Sequence, residues 1–299
     1  KMMNAPIVLF VYNRVEHTKQ VIEALSHNDG AEDTEVYIYS DAAVDETEEY
    51  NVQQVRQYLE EVQNHTWFKM VSIIPAGKNK GLEKSIIEGV TNIMNQYGRA
   101  IVLEDDIVIA SDFLDFMNQA LDYYEDDEKI WSISGYTINS KRIEKGKRDV
   151  YLGYRAECWG WASWKNRWEK VDWEVSDYSV FYKNKQWQKA FNKGGKDLAN
   201  MLKLQQEGRV KSWAVRWCYQ QFKEGMFTIF PKHSKIRNIG FDGTGTNCSE
   251  QNVDQTKFHR EYTWDFAYSS NDWLVSNEFR KYYYKSYMRQ IVGKFWYLL

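Results

Sequence analysis

The chain has 299 residues, with 39 lysines and arginines against 42 aspartates and glutamates, a formal charge of −3. That balance excludes a protein that binds nucleic acid by bulk electrostatics. Aromatic residues make up 16% of the chain, including 13 tryptophans, which excludes disorder over most of its length.

The first 135 residues alternate short apolar runs with helical periodicity. Residues 6–12 read as a buried strand, and 17–27 as a helix with Val21, Ile22 and Leu25 on one face. A second strand covers 35–40, and a helix follows over 46–63 through Val52, Val55, Leu59 and Val62. Strands at 68–74, 100–103 and 130–134 enclose helices at 82–96 and 112–124, the last with Ser111 or Asp112 as N-cap. This order predicts an α/β fold built on a mostly parallel sheet covered on both faces. Beyond 135 the alternation stops. Residues 139–149 read as a charged loop and 151–173 as an aromatic tract. Helices are expected at 187–206 and 213–223, short strands at 226–230 and 236–239, and a glycine-rich loop at 240–247. The resulting division is one domain over 1–275, in two halves (1–135 and 136–275), followed by a basic, aromatic helical tail at 276–299.

Open parallel sheets bind ligands at the carboxyl ends of their strands. Leu103 ends a strand, and Glu104, Asp105 and Asp106 follow at once. Three adjacent carboxylates repel one another, and a divalent cation such as Mg²⁺ or Mn²⁺ relieves that repulsion. Isolated acidic pairs are usually solvated turns; the position at a buried strand end favours the cation. Asn13 and Arg14 follow the first strand, Asp41 the second, and Lys78, Asn79, Lys80 and Gly81 the third. An arginine beside a phosphate, an aspartate accepting from a base or ribose, and amides at a helix start are what a nucleotide needs. Neither a G-x-G-x-x-G nor a P-loop sequence is present, so dinucleotide and P-loop readings fall.

Three runs, PIVLFVYNR at 6–14, NKGL at 79–82 and VLEDDI at 102–107, resemble GT-A nucleotide-sugar glycosyltransferases. They are nearest to bacterial family-2-like enzymes and similar to the N-acetylglucosaminyltransferase I group. The resemblance continues through CWGWASW at 158–164, SWAVRW at 212–217 and NIGFDGTG at 238–245. It implies a UDP-sugar donor, a Mn²⁺ or Mg²⁺ ion, a glycan or lipid-linked acceptor in surface polysaccharide synthesis, and inversion at the anomeric carbon. By the same resemblance Asp106 binds the metal, Glu104 touches the donor sugar, and Asp105 lies near the ribose or sugar. Arg14 and Asp41 hold the uridine side, with Asn13, Asn79 and Gly81 in the donor loops.

Inverting transfer needs a general base on the acceptor hydroxyl. Relatives carry an acid just before the serine or just after the tryptophan of the 212–213 segment; here those places hold Lys211 and Ala214. The remaining candidates are Glu157, beside the tryptophan turn, and Asp242, in the glycine-rich loop. Glu157 reads equally as an acid paired with Arg155 or Arg216. A histidine that often follows the glycine-rich segment in relatives has Asn247 in its place. Eight of the 13 tryptophans lie between Trp159 and Trp217. Trp161, Trp164 and Trp168 read as one helix face, about half of the cluster as core, and Trp159, Trp161 and Trp213 as acceptor-binding residues. Residues 240–245 read as a plain loop or as a segment that orders over the donor.

The tail carries Arg280, Lys281, Lys285, Arg289 and Lys294 against one acid, Glu278. It reads as a helix lying on an anionic membrane or as one packed on the domain. Three separated cysteines (158, 218, 248) form neither a disulfide framework nor a zinc site. With no long apolar span, a cytoplasmic location is expected, with peripheral contact at the inner membrane face. Two other readings compete: a non-catalytic nucleotide-sugar or glycan-binding protein on the same fold, and a nucleotidyltransferase. The missing basic, glycine-rich loop after the first strand disfavours the latter.

Overall fold

The computed structural model describes residues 4–240, 256–284 and 288. In chain order its elements are β1 (Ile7–Val11), α1 (Val15–Ser26), β2 (Glu35–Ser40), α2 (Glu46–Gln63), β3 (Met70–Pro75), α3 (Leu82–Tyr97), β4 (Arg99–Glu104), β5 (Ile107–Ile109), α4 (Phe113–Tyr124) and β6 (Ile130–Ser134). There follow α5 (Lys141–Glu144), β7 (Val150–Gly153), β8 (Trp161–Trp164), α6 (Lys165–Trp168), α7 (Tyr178–Lys183), α8 (Lys185–Phe191), α9 (Leu198–Gln206), α10 (Trp213–Glu224), β9 (Phe227–Pro231), β10 (Ile236–Asn238) and α11 (Asp272–Tyr282).

Eight strands form one sheet in the order β3-β2-β1-β4-β8-β6-β9-β7. The pairs β2–β3, β1–β2, β1–β4 and β6–β9 are parallel. The pairs β4–β8, β6–β8 and β7–β9 are antiparallel. The α/β class is as expected, with an antiparallel strand set into the middle of the sheet. Both faces are covered. Ile7, Leu9, Ile101 and Leu103 point into one core with α1, α2 and α4, while Val8, Phe10, Ala100 and Val102 point into a second with α3 and α10. Strands buried on both sides are apolar at consecutive positions, which is why β1 and β4 read as unbroken runs.

Several expectations are corrected. Trp161 and Trp164 lie in strand β8, not on a helix, and only 165–168 are helical. Residues three apart in a strand face opposite sides, so Trp161 joins the second core and Trp164 the first. The helix expected at 187–206 is broken into α8 and α9 by a short 3₁₀ turn and Gly195, whose φ is +149°. The charged loop at 139–149 contains α5, capped by the Ser140 hydroxyl. Asp112 occupies the N-cap position of α4, but its carboxylate accepts from Lys235 Nζ (2.7 Å) instead; Asn28 Oδ1 accepts from Leu114 N (2.9 Å) in its stead. Strands from before and after residue 135 share the one sheet, with β6 between β8 and β9.

Candidate active site

The carboxyl ends of β1, β2, β3 and β4 gather the predicted donor residues. Arg14, at the N-cap of α1, reaches across to the acidic cluster, and one guanidinium nitrogen bonds both Asp105 and Asp106 Oδ2 (3.0 Å). Burial alone would lower the Arg14 pKa, but the two carboxylates outweigh it and raise it. Desolvation, then the charges of Asp106 and Asp105, push Glu104 well above the ordinary carboxylate range. Asp105 is raised too, by burial first, with Arg14 opposing.

The other residues predicted to face the donor hold one another. Asp41 accepts from the backbone N–H of Ala42 (2.9 Å), Lys80 (2.9 Å) and Gly81 (2.8 Å), tying the ends of β2 and β3 together at the start of α3. The amides expected to face a phosphate are therefore turned to Asp41. Asn79 Nδ2 donates to the Ala42 carbonyl (2.7 Å), and Asn13 donates to Glu48. Gly81 sits at φ +78°, a left-handed turn that suits glycine.

Strand β10 completes the cluster. It pairs antiparallel with β5, directly after the carboxylates. Ile239 N donates to the Asp106 carbonyl (2.8 Å), and a Cβ on Gly240 would come within 2.3 Å of Asp106 Oδ2. Only glycine lets the backbone approach that closely. His17 Nε2 lies 3.3 Å from the Ile239 carbonyl. Neither His17 nor Gly240 was singled out from the sequence for this contact; the β5–β10 pairing that makes it is a long-range event.

Among the described residues no group of three or more His, Cys, Asp or Glu side chains is arranged to hold a metal. A single carboxylate completed by donor phosphates is nevertheless a normal mode for Mg²⁺ or Mn²⁺. Asp105 Oδ2 and Arg14 Nη1 are buried without hydrogen-bond partners, so acceptor and donor capacity beside Asp106 is unused. The hard oxygen set is thus compatible with such an ion.

The turn 157–160 lies against the same region. Gly160, at φ +61°, packs on Ile236, Ile107 and Leu103, and its carbonyl accepts from Gly135 N (2.7 Å). Glu157 is 3% exposed. Its carboxylate accepts from Cys158 N (3.0 Å) and from the Tyr283 hydroxyl (3.1 Å). Burial raises its pKa, with Arg155 as the largest opposing influence. Arg155 itself pairs with Asp197 (3.1 Å) and stacks 3.7 Å from the Tyr283 ring centroid, so Glu157 is not its ion-pair partner. Arg216 pairs with Glu83 (2.7 Å). Tyr283 gave no signal in the sequence, because α11 must dock before the two meet. Asp242, Asn247, Cys248 and the glycine-rich run beyond Gly240 lie outside the described residues.

The tryptophan expectations divide. Trp161 and Trp213 are 1% and 5% exposed and lie within 5.6 Å of each other in a stack with Trp168 and Trp217. They are core and are corrected from acceptor-binding residues: no face is left for a sugar. Trp159 is partly exposed and meets Tyr136 edge-on at 5.0 Å.

Comparison with known proteins supplies the family. The GNT-I family matches residues 1–191. The chain belongs to the GNT-I family. The resemblance to GT-A glycosyltransferases and to the N-acetylglucosaminyltransferase I group is thereby borne out. Similar solved structures are distant. Mannosyltransferase PcManGT from Pyrobaculum calidifontis, in complex with GDP-Man and Mn²⁺, shares 13% identity at a TM-score of 0.40, over 57% of this chain and 48% of that one. S. aureus TarS 1-349 shares 10% at 0.46, over 78% and 59%. Its complex with UDP-GlcNAc shares 11% at 0.43, over 78% and 57%. The GNT-I family chain thus spans between about half and three fifths of the solved chains it matches. Likenesses this remote decide neither donor nor acceptor. Among the described residues of this GNT-I family member, no helix is long and apolar enough to cross a membrane.

Proposed function

We propose that this chain transfers a hexosyl or N-acetylhexosaminyl group from a UDP-sugar to a hydroxyl of a glycan or lipid-linked acceptor, with inversion, in surface polysaccharide synthesis in a bacterium. The observation that carries the reading is the cluster at the end of β4. Asp105 and Asp106, next to Glu104, meet Arg14 at the start of α1, and Asp106 also meets the glycine backbone after β10. A Mn²⁺ or Mg²⁺ ion held by Asp106 would supply positive charge to the leaving diphosphate. Arg14 orients the carboxylates and adds its own charge beside them. Asp41 fixes the loop that carries Asn79 and Gly81, so the donor crevice keeps its shape before a donor arrives. Glu157 is the described base candidate: burial raises its pKa, which makes its carboxylate a stronger base toward the acceptor hydroxyl than an ordinary one. Trp159, partly exposed beside the same turn, is the aromatic candidate for the acceptor, and Asp242 is the alternative base. A peripheral contact of the 276–299 tail with the inner membrane face belongs to the same reading.

The test is UDP release from a panel of UDP-sugars with Mn²⁺, with and without acceptor. Turnover that is lost on chelation and in Asp106→Ala supports the reading. Full activity in Asp106→Ala overturns the metal assignment. The second reading, a non-catalytic binding protein, is favoured by Lys211 and Ala214 standing where relatives carry an acid. Donor binding without UDP release for every sugar would establish it.

A further inference from the structure

Between Asp177 and Asp197 the chain carries no acid, yet it carries Lys183, Lys185, Lys189, Lys193 and Lys196. This stretch folds as α7, α8 and the 3₁₀ turn Asn192–Gly194. All of these lysines but Lys196 are exposed. Apolar and aromatic side chains stand among them: Val180, Tyr182 and Trp187 are 56%, 48% and 40% exposed. Lys185 and Lys203 flank the Tyr182 ring at 5.7 and 5.8 Å. Helix α11 extends the surface. Ser276 Oγ donates to the Lys193 carbonyl (3.1 Å), Lys196 sits 4.6 Å from the Tyr284 ring, and Lys281 is exposed.

A stretch of five lysines without an acid on a chain of charge −3 is a local feature, not a reflection of composition, although Lys203 at its border pairs with Glu207 (3.6 Å). We propose that this folded surface, α7–α8 with the outer side of α11, docks on an anionic lipid bilayer. Lysines attract anionic headgroups, and tyrosine and tryptophan favour the headgroup layer, where a ring is half dry and half wet. A hydrophilic polyanion would use the lysines but would leave Val180 and Trp187 without a role. The proposal does not rest on the transferase reading, and Lys183, Lys185, Lys189, Lys193 and Trp187 lie on α7, α8 and the 3₁₀ turn after them, outside the 276–299 tail into which α11 runs.

The experiment is co-sedimentation of the full chain with phosphatidylcholine vesicles, with and without phosphatidylglycerol, at low and high salt. Binding is expected only with phosphatidylglycerol and is released by salt. The triple variant Lys185→Glu, Lys189→Glu, Lys193→Glu weakens it by about a hundredfold or more, since each lysine near the surface contributes roughly a factor of five. Trp187→Ala weakens the low-salt binding without changing the net charge of the surface. Circular dichroism and thermal melting check that the variants fold. No vesicle binding, or binding unchanged by the triple variant with its tail intact, overturns the proposal. So does equal binding to soluble polyphosphate with no effect of Trp187→Ala. UDP release with a soluble acceptor is read separately, so failure of the transferase reading leaves vesicle binding interpretable.

Discussion

Glu157 brings stability and chemistry into opposition. The fold favours its protonated form, so between the ordinary carboxylate value and its raised native value the folded chain binds more protons than the unfolded one. Stability therefore falls as pH rises through that window. Glu157→Gln removes this fall: its melting temperature is expected to gain on the parent as pH climbs above about 4.5, the ordinary carboxylate value. If Glu157 takes the acceptor proton, the same variant lowers kcat by about 10²–10⁴. Parallel pH series of thermal melts and UDP release separate the two effects. A loss of activity without the change in melting would mean that burial does not raise this carboxyl. The Cys218 thiol, pushed by burial up to about 12, is no nucleophile at neutral pH.

Among the elements, the turn before β8 is the most exacting. Gly160 combines φ +61° with Ile236 Cγ2 at 2.9 Å from a would-be Cβ, whereas Gly208, at φ +68°, has open space around it. Gly160→Ala is expected to cost about 2–4 kcal/mol and Gly208→Ala about 1 kcal/mol, read from urea unfolding. Equal losses would show that the crowding is relieved at no cost. A second joint is buried: Lys235 donates to Asp112 (2.7 Å) and Glu261 (2.6 Å), fastening the segment at 256–268 to the start of α4. Lys235→Met leaves Asp112 buried without its cation and should cost about 3–5 kcal/mol; a loss under 1 kcal/mol would mean that water reaches Asp112. These joints mark what was legible in the sequence. The strand-helix alternation to Ser134 and the acidic cluster declare themselves locally, through periodicity and position. Strand β8 does not, because a strand buried on both faces has no alternation, and tryptophans at 161, 164 and 168 imitate a helical stripe. The Tyr283–Glu157 contact and the β5–β10 pairing depend on distant segments meeting, for which no local pattern exists.

At the scale of the molecule, the tryptophan concentration is mainly a packing device. Trp131, Trp161, Trp168, Trp213 and Trp217 fill the second core between sheet and helices. Trp217, fully buried and 4.4 Å from Trp131, should cost about 3–5 kcal/mol when cut to alanine, with the acceptor KM of the surviving folded fraction unchanged. A change in KM at undiminished stability would return this cluster to the acceptor site.

The place of β8 also governs how the chain assembles. Strand β4 is made early, with β1 on one side, but its other neighbour is β8, and β6 must wait for both β8 and β9. During synthesis the growing sheet therefore presents a bare, apolar inner edge until the tryptophan tract has emerged and threaded between two strands already present. Such non-local closure is slow, and the exposed edge is open to pairing with another chain. A fragment ending near residue 135 would carry that edge permanently; it should aggregate rather than fold, and the acidic cluster at the end of β4 would lose its setting with it.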